Sequence, residues 1–389
     1  MQRREFIYKT GAFITATTLM SFTNKFVLDE QQTHSKNNQD LIKRDNYKQF
    51  NNIVLQSIAI ALNAPSAHNT QAWKFKILND TEFLFYVDEN KLLPETDPPA
   101  RQIHISCGCF IEAICIGCVA LEHQANVSYF PEGNYLLNDI GIKPVAKISL
   151  IKTDTKTHEL WDYIFTRRMN RTEYHGTIIS NEEHTNIIKN LSISSIINYI
   201  NTTDEMKKYA EIFRNAMKIE FNTLAANEET RRMFRFNDEE AETKRDGLTF
   251  AATGISGLKK TMAQKFTKNT QQSWNSQSVI NKGISNFNKG LDSAKGFVLF
   301  ITNTNSFQNQ IDVGRDFYRY TLSLAKNALY MHPLNQATQE YSAMDIERKK
   351  LDTLGGIKGT QKIQLVARIG RANVPFESFR KHLNDFLIK

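Results

Sequence analysis

A helix is predicted over residues 47–62, because apolar residues recur there at helical spacing. Pro65 cannot continue that helix, so the chain must turn there. Beyond the turn, Trp73, Phe75 and Ile77 alternate with lysines, which is the pattern of a half-buried strand. Residues 64–72 therefore form a polar turn between two core elements, and the turn presents several hydrogen-bonding side chains to its surroundings.

The later hydrophobic patterns divide the chain into two halves. In half one, residues 47–151, they predict strands at 73–78, 81–87 and 144–151 and a second helix at 102–122. In half two, residues 158–389, they predict helices near 158–166, 204–225 and 316–331 and strands at 296–302 and 362–369. The halves share an inventory of elements more than they share sequence. We therefore predict an α+β fold built from two tandem sheet-plus-helices units.

Residues 227–292 interrupt half two. They are rich in Asn, Lys, Gln and Thr, they contain five glycines, and their helical pattern is weak. Two interpretations are open at this point. The segment is either a lid over a site or a solvated surface insertion.

Length and composition indicate a globular protein with two domains. The chain has 389 residues, of which 41% are hydrophobic and 11% aromatic. The net charge is +8, but residues 1–25 hold four basic side chains and one acidic one, which leaves about +5 for the rest. No basic cluster follows the pattern of a nucleic-acid-binding surface. We therefore expect small-molecule partners and no nucleic acid.

Residues 1–28 are typical of an export signal. A basic start precedes an apolar run shorter than the roughly 20 residues of a membrane span. The pair Arg3-Arg4 resembles that of a twin-arginine signal. No small-residue cleavage site is evident, so the segment could stay attached as a membrane tether, with residues 29–46 as a polar linker. We expect the protein to be exported, either periplasmic or membrane-associated on the periplasmic side.

Four cysteines, at positions 107, 109, 115 and 118, stand within twelve residues. Three of them share the apolar face of the predicted helix at 102–122, where thiols pack as small hydrophobic groups. Structural zinc sites take their ligands from turns that can close a tetrahedron, and one helix gives poor geometry for a disulfide. We therefore predict core packing and no metal.

The polar turn carries a family resemblance. Residues 65–73 resemble the Pro-Ser-x-x-Asn-x-Gln-Pro-Trp signature of the FMN-dependent nitroreductase family, with alanine at position 72 in place of proline. The matching positions in the turn are Pro65, Ser66, Asn69 and Gln71. The resemblance implies that Ser66, Asn69 and Gln71 contact the flavin ring or its ribityl chain.

A second resemblance lies at residues 165–171, where three arginines stand within five residues. Planar guanidinium groups bind phosphate oxygens in bidentate fashion. The run resembles the opening of nitroreductase domains, in particular the Arg-Arg-Thr-Asn-Arg form of the double-domain, Acg-like branch, with Met169 in place of threonine. The resemblance implies that Arg167, Arg168, Asn170 and Arg171 bind FMN, the arginines through its phosphate.

Further segments resemble the family in the same order along residues 45–382. Asp97-Pro98, Arg101 and Ser106–Gly108 look like a segment of the Acg-like branch that leads into a helix. The loop after the predicted helix at 316–331 resembles the one that sets backbone N–H groups, here those of Asn335 and Gln336, beside the flavin N5. The closing segment resembles a strand, here with Arg368, that is followed by a downstream arginine, here Arg380, which also reaches the phosphate.

Ordinary nitroreductases are two-fold dimers that build each flavin site from both subunits. Here the turn occurs once, in half one, and the arginine run occurs once, in half two. The resemblance therefore implies a monomer that is a fused pseudo-dimer with a single FMN between its halves. The flavin would carry the chemistry, so no catalytic side chain is predicted, and structural roles suit His68 and His332 better.

The function that follows is an FMN-dependent oxidoreductase. It would take electrons from a small-molecule donor and reduce a nitroaromatic, a quinone or a similar acceptor. Export separates the protein from cytoplasmic NAD(P)H, so the donor is left open. The alternative is an FMN-binding or sequestering protein whose closed lid excludes substrates, and a third hypothesis is an inert relic of the fold, which would be colourless.

Overall fold

The computed structural model describes residues 46–388. The predicted export signal at 1–28 and all but the last residue of the predicted tether at 29–46 lie outside the described residues. Elements are numbered below along the whole chain.

Half one folds as an antiparallel sheet of four strands with two helices. The strands are β1 (Trp73–Ile77), β2 (Glu82–Val87), β3 (His123–Tyr129) and β4 (Ala146–Lys152), in the spatial order β1-β2-β4-β3. The helices are α1 (Ile53–Ala61) and α2 (Arg101–Gly117). The side chain of Asn52 caps α1 by accepting hydrogen bonds from two backbone N–H groups of its first turn.

Half two repeats this plan. Its sheet consists of β5 (Ile196–Ile200), β8 (Phe297–Thr302), β9 (Tyr330–Pro333) and β10 (Lys362–Gly370), in the spatial order β5-β8-β10-β9. Its main helices are α3 (Asn181–Ile188), α4 (Thr203–Asn222), α10 (Phe307–Lys326) and α11 (Asp345–Leu354). In both halves a long helix joins the second strand to the third. The fourth strand then lies in the sheet between the second and the third. The predicted α+β fold with two tandem sheet-plus-helices units is confirmed.

The segment at 227–292, whose helical pattern is weak in the sequence, lies in a folded unit. It contains α5 (Leu224–Arg232), α6 (Asp238–Lys244), α7 (Gly257–Phe266), α8 (Gln271–Trp274) and α9 (Gln277–Asp292), with the short parallel strands β6 (Phe234–Arg235) and β7 (Leu248–Thr249). A small apolar core holds it together, consisting of Phe234, Phe236, Phe250 and Trp274. The helices of this unit were not predicted, because its small core needs few apolar residues and the rest of its sequence is polar.

The two halves meet where α2 and α10 pack against each other. A Cβ atom on Gly108 would lie 1.9 Å from the carbonyl oxygen of Ile311, and one on Gly314 would lie 2.0 Å from that of Ile105. These reciprocal contacts place Gly108 and Gly314 at the crossing point of the helices. By length and composition the helix at 101–121 could span a membrane. In this structure it is the buried central helix of half one.

The four cysteines lie in α2 or directly after it, in the interior of half one. Cys107, Cys109 and Cys118 are buried and Cys115 is partly buried, all as free thiols. Burial raises the pKa of Cys115 and of Cys118 to about 12. The thiols therefore pack as small apolar groups, as their positions on the helix predict.

Several element predictions were wrong in extent. The helix predicted at 316–331 is α10, which begins at Phe307 because Ser306 and Asn309 form a capping box, and β9 follows it. The helix predicted near 158–166 is only a 3-10 turn at Trp161–Tyr163. The helix predicted at 47–62 is a 3-10 turn followed by α1. The strands β3, β5 and β9 of the two main sheets and the short strands β6 and β7 were missed.

Candidate functional site

The polar turn after α1 has a strained backbone. It begins at Pro65, and His68, Asn69 and Gln71 adopt left-handed conformations with φ values of 46°, 54° and 51°. Such conformations cost roughly 1–3 kcal/mol for each non-glycine residue, and they cluster at functional sites. The Ser66 Oγ accepts a hydrogen bond from the Gln71 N–H at 3.0 Å, which fixes the turn. The turn is held in this shape by its surroundings rather than by local preference.

Arg380 and Arg167 reach the C-terminal end of α1 from half two. The Arg380 guanidinium donates to the Leu62 carbonyl at 2.8 Å and to the Asn69 side-chain oxygen at 3.0 Å. The Arg167 Nη2 donates to the Asn63 carbonyl at 3.4 Å. Burial, together with the neighbouring arginines, lowers the pKa of Arg380 to about 9. Both side chains thus join the two halves directly beside the turn.

Arg168 and Asn170, which were also predicted to bind the cofactor, have protein partners. Arg168 forms an ion pair of 2.7 Å with Glu377. The Asn170 Nδ2 donates to the Asn373 carbonyl at 2.9 Å, and its Oδ1 accepts from the Thr172 N–H at 2.8 Å. These contacts give Arg168 and Asn170 roles in fixing the loops around the site.

Arg171 and Arg368 form a second cluster of cations. The Arg368 guanidinium carbon lies 4.0 Å from the centre of the Tyr174 ring, and its Nε donates to the His332 Nδ1 at 3.2 Å. The Arg171 Nη1 donates to the Ala252 carbonyl at 3.1 Å. Tyr174 was not found by sequence reasoning, although its place three residues after Arg171 could have suggested it.

Two histidines border this cluster and are neutral at pH 7. Burial, and next the charge of Arg171, lowers the pKa of His68 to about 4. Burial, and next the charges of Arg368 and Arg171, holds the pKa of His332 well below its usual value. Because the charge of Arg171 lowers the pKa of both histidines, the half-one turn, which holds His68, and β9, which holds His332, border the same space.

The charges at this site are unbalanced. Within residues 46–388, no carboxylate lies within salt-bridge distance of four guanidinium groups, those of Arg167, Arg171, Arg368 and Arg380. The Nε and Nη1 atoms of Arg167 are buried and have no hydrogen-bond partner in that part of the chain. Buried cations of this kind require an anion. The donor set therefore fits a phosphomonoester such as that of FMN.

The predicted loop at Asn335 and Gln336 lies in a 3-10 helix, Asn335–Thr338. The Asn335 side-chain oxygen accepts from the Val366 N–H at 3.1 Å, so it fixes the loop to β10. The Gln336 Oε1 is buried and has no hydrogen-bond partner among the described residues. The fully buried Arg101 of half one donates to the Thr338 carbonyl and so positions this loop from the other half.

Residues 245–252 of the inserted unit cover the half-one turn. The Gln71 Nε2 donates to the Arg245 carbonyl at 2.9 Å, and the Gly247 N–H donates to the Asn69 carbonyl at 3.2 Å. Arg245 also donates to the Arg380 carbonyl at 2.7 Å. The space left between the turn, residues 246–252 and residues 376–379 has essentially no free volume for a water-sized molecule. Small-molecule pockets measure about 300–1,000 Å³, so a flavin that contacts Asn69 and Gln71 requires this covering segment to move.

Comparison with known proteins relates parts of the chain to nitroreductases. No protein-family model matches the chain. An uncharacterized protein of Mycobacterium tuberculosis is 33% identical over 81 residues, which cover 20% of this chain and 24% of that protein. The protein acg of the same organism, provisionally named an NAD(P)H nitroreductase, is 29% identical over 125 residues, 31% of this chain and 36% of that protein.

A second M. tuberculosis protein, also provisionally named an NAD(P)H nitroreductase, is 29% identical over 116 residues, 27% of this chain and 33% of that protein. The matches thus span about a quarter to a third of each relative.

Solved structures of nitroreductases also align with the chain, but their similarity to it is low. The FMN and NADPH-dependent nitroreductase NfnB of Sphigopyxis sp. strain HMH aligns with a TM-score of 0.37 and 11% identity, covering 59% of this chain and 97% of that one. A nitroreductase with bound FMN from Bacteroides fragilis aligns with a TM-score of 0.33 and 14% identity, covering 58% and 95%. The partial sequence matches to the mycobacterial proteins support the nitroreductase-like family for this chain.

Proposed function

We propose that the chain binds one FMN between its halves and acts as a flavin oxidoreductase of the nitroreductase type. It would reduce a nitroaromatic, a quinone or a similar small acceptor. The observation that carries the proposal is that the half-one turn, the arginine run and His332 border buried cations that have no carboxylate partner among the described residues.

The proposal gives each of these residues a role. A bound FMN would supply the electron-transfer chemistry. Arg167 would hold the phosphate, since two of its nitrogen atoms have no partner among residues 46–388, and Arg171 would assist it. Arg380 would position the turn through its bonds to α1 and Asn69. Ser66 would keep the turn in shape through its bond to the backbone of the turn.

Proton transfer at this site would not use the histidines as acids. His68 and His332 both have lowered pKa values and are neutral at pH 7. A neutral imidazole can accept or share a hydrogen bond without adding to the positive charge. The two rings would therefore orient a bound group, and solvent would supply the protons.

We also propose that the protein works outside the cytoplasm. The support is the predicted export signal, Arg3-Arg4 followed by a short apolar run. An electron donor other than NAD(P)H would then serve the flavin in the cell, and the protein would act as a monomer that already contains both halves of its site.

The phosphate assignment is tested by comparing FMN with riboflavin, which lacks the phosphate. Quenching of flavin fluorescence gives the dissociation constant of each for the parent chain, R167Q, R171Q and R168Q. We expect R167Q and R171Q to weaken FMN binding by about 10- to 100-fold, the value of a charge-assisted hydrogen bond, with little change for riboflavin. R168Q is the matched control, because Arg168 already pairs with Glu377.

Two results would contradict the assignment. One is equal weakening by all three substitutions for both flavins, which would indicate a general structural loss. The other is an unchanged FMN affinity in R167Q and R171Q, which would remove the arginine run from the phosphate site.

A further inference from the structure

Helix α7 (Gly257–Phe266) turns its apolar side outward. Leu258, Met262 and Phe266, spaced by four residues, are 82%, 58% and 66% exposed. The rest of the helix faces the protein, where Lys260 forms an ion pair of 2.7 Å with Asp238 and Ala263 packs against the small apolar core of the inserted unit. Soluble helices normally bury the apolar side. This stripe is therefore a surface feature that a partner must explain.

Lysines border the stripe. At about 100° per residue, Lys259 and Lys265 flank the face that carries Leu258, Met262 and Phe266, and both are exposed. The bias extends along the sequence, because residues 251–291 contain six lysines and no aspartate or glutamate. An apolar stripe between cationic edges on one helix is typical of helices that lie in the interface of an anionic membrane.

We propose that α7 docks on the surface of an anionic lipid bilayer. Its three apolar side chains would enter the acyl boundary, while Lys259 and Lys265 would lie at the level of the headgroups. A second copy of the chain is a poor occupant of the same face, because it would bring an equal set of lysines against this one. The stripe protrudes on a single helix, which suits a flat membrane surface. The proposal is independent of flavin binding.

The test places an environment-sensitive fluorophore on α7 of the full chain. The variant M262C offers an exposed thiol, whereas three of the four native cysteines are buried. The control I346C carries the same label at another exposed apolar position on α11, 67% exposed in the parent. Vesicles of phosphatidylcholine with and without phosphatidylglycerol are then added. We expect a blue shift and a rise in emission at position 262 only, and only with phosphatidylglycerol.

Charge variants give the magnitude. Loss of two membrane-facing lysines in K259Q/K265Q should weaken partitioning by about 30-fold, at roughly 1 kcal/mol for each lysine. K349Q/K358Q makes the same change in net charge at exposed lysines elsewhere and should change partitioning much less.

Three outcomes would overturn the proposal. If the chain binds vesicles while the label at 262 stays in water, another part of the chain is responsible. If neither the label nor the chain responds, α7 has no affinity for membranes. If sedimentation velocity shows a dimer that F266S dissociates, the stripe is an interface between copies.

Discussion

The substitution G108A tests whether the two halves are held together at the crossing of α2 and α10. The new Cβ would lie 1.9 Å from the Ile311 carbonyl oxygen and 2.8 Å from the Gly314 Cα. Both neighbours are backbone atoms, so no side-chain rotation relieves the clash. Real Cβ atoms do not approach closer than 3.0 Å, and the helices must therefore move apart by about 1 Å at their centre.

That movement loosens packing on both sides of the crossing. Overpacking a well-filled core costs typically about 1–3 kcal/mol, and we expect the upper end because backbone must move. The gain in helix propensity from glycine to alanine, about 1 kcal/mol, opposes this cost. We therefore expect G108A to lower the free energy of unfolding by about 2 kcal/mol or more.

G117A in the same helix is the matched control. Its Cβ would meet the Ile60 Cγ2 at 2.6 Å, a side-chain methyl group rather than backbone, so the clash can be relieved without separating α2 from α10, and we expect a smaller loss than in G108A, about 1 kcal/mol. Urea unfolding followed by far-UV circular dichroism measures both variants. A G108A protein as stable as the parent would refute the close approach of the two helices and the fused arrangement built on it.

Two further predictions concern buried carboxylates. E112Q removes the partner of Arg315 and Arg319, which bind it at 2.7 and 2.6 Å across the same helix pair, and should cost about 2–3 kcal/mol in urea unfolding. E159Q, in an exposed pair, should cost less than about 0.5 kcal/mol, and equal costs would contradict the reasoning. Burial raises the pKa of Glu220 from 4.5 to about 7. Between these two pKa values the folded state holds a proton that the unfolded state has lost, so the free energy of unfolding of the parent falls as the pH rises. The free energy of unfolding of E220Q should therefore increase relative to that of the parent by roughly 1.4 kcal/mol per pH unit in this range. A difference between the two proteins that does not change with pH would exclude the pKa shift.

The sequence predicted the halves of the fold better than their details. Alternation at Trp73, Phe75 and Ile77 and helical spacing in α1 are local signals, so they were read correctly. Strand β3 was missed although Ala125, Val127 and Tyr129 alternate with polar residues, because none of its residues is fully buried and its apolar side chains are few. The start of α10 depends on the cap at Ser306 rather than on apolar periodicity.

The inserted unit shows a second limit. The spacing of Leu258, Met262 and Phe266 indicates a helix with one apolar face. It cannot tell that this face points outward, because that depends on Lys260 binding Asp238 from another helix.

At the site, the structure brings Arg167 and Arg380, which the sequence resemblance selected, to the half-one turn, but the resemblance could not divide the roles of the selected residues. Arg380 binds the Leu62 carbonyl and Arg168 binds Glu377. In each pair the two residues are more than 200 positions apart along the chain. Which guanidinium groups keep free donors, as Arg167 does among the described residues, therefore depends on tertiary contacts alone.

The stoichiometry of flavin binding tests the central claim most directly. The purified chain is titrated with FMN under anaerobic conditions, and bound flavin is measured by absorbance before and after addition of a reductant such as NADPH or dithionite. One shared site between the halves predicts an end point at one FMN per chain, and an oxidoreductase predicts that the reduced, bound flavin is reoxidised by an added quinone or nitroaromatic. An end point at two FMN per chain, or a chain that stays colourless with FMN in excess, would contradict the account.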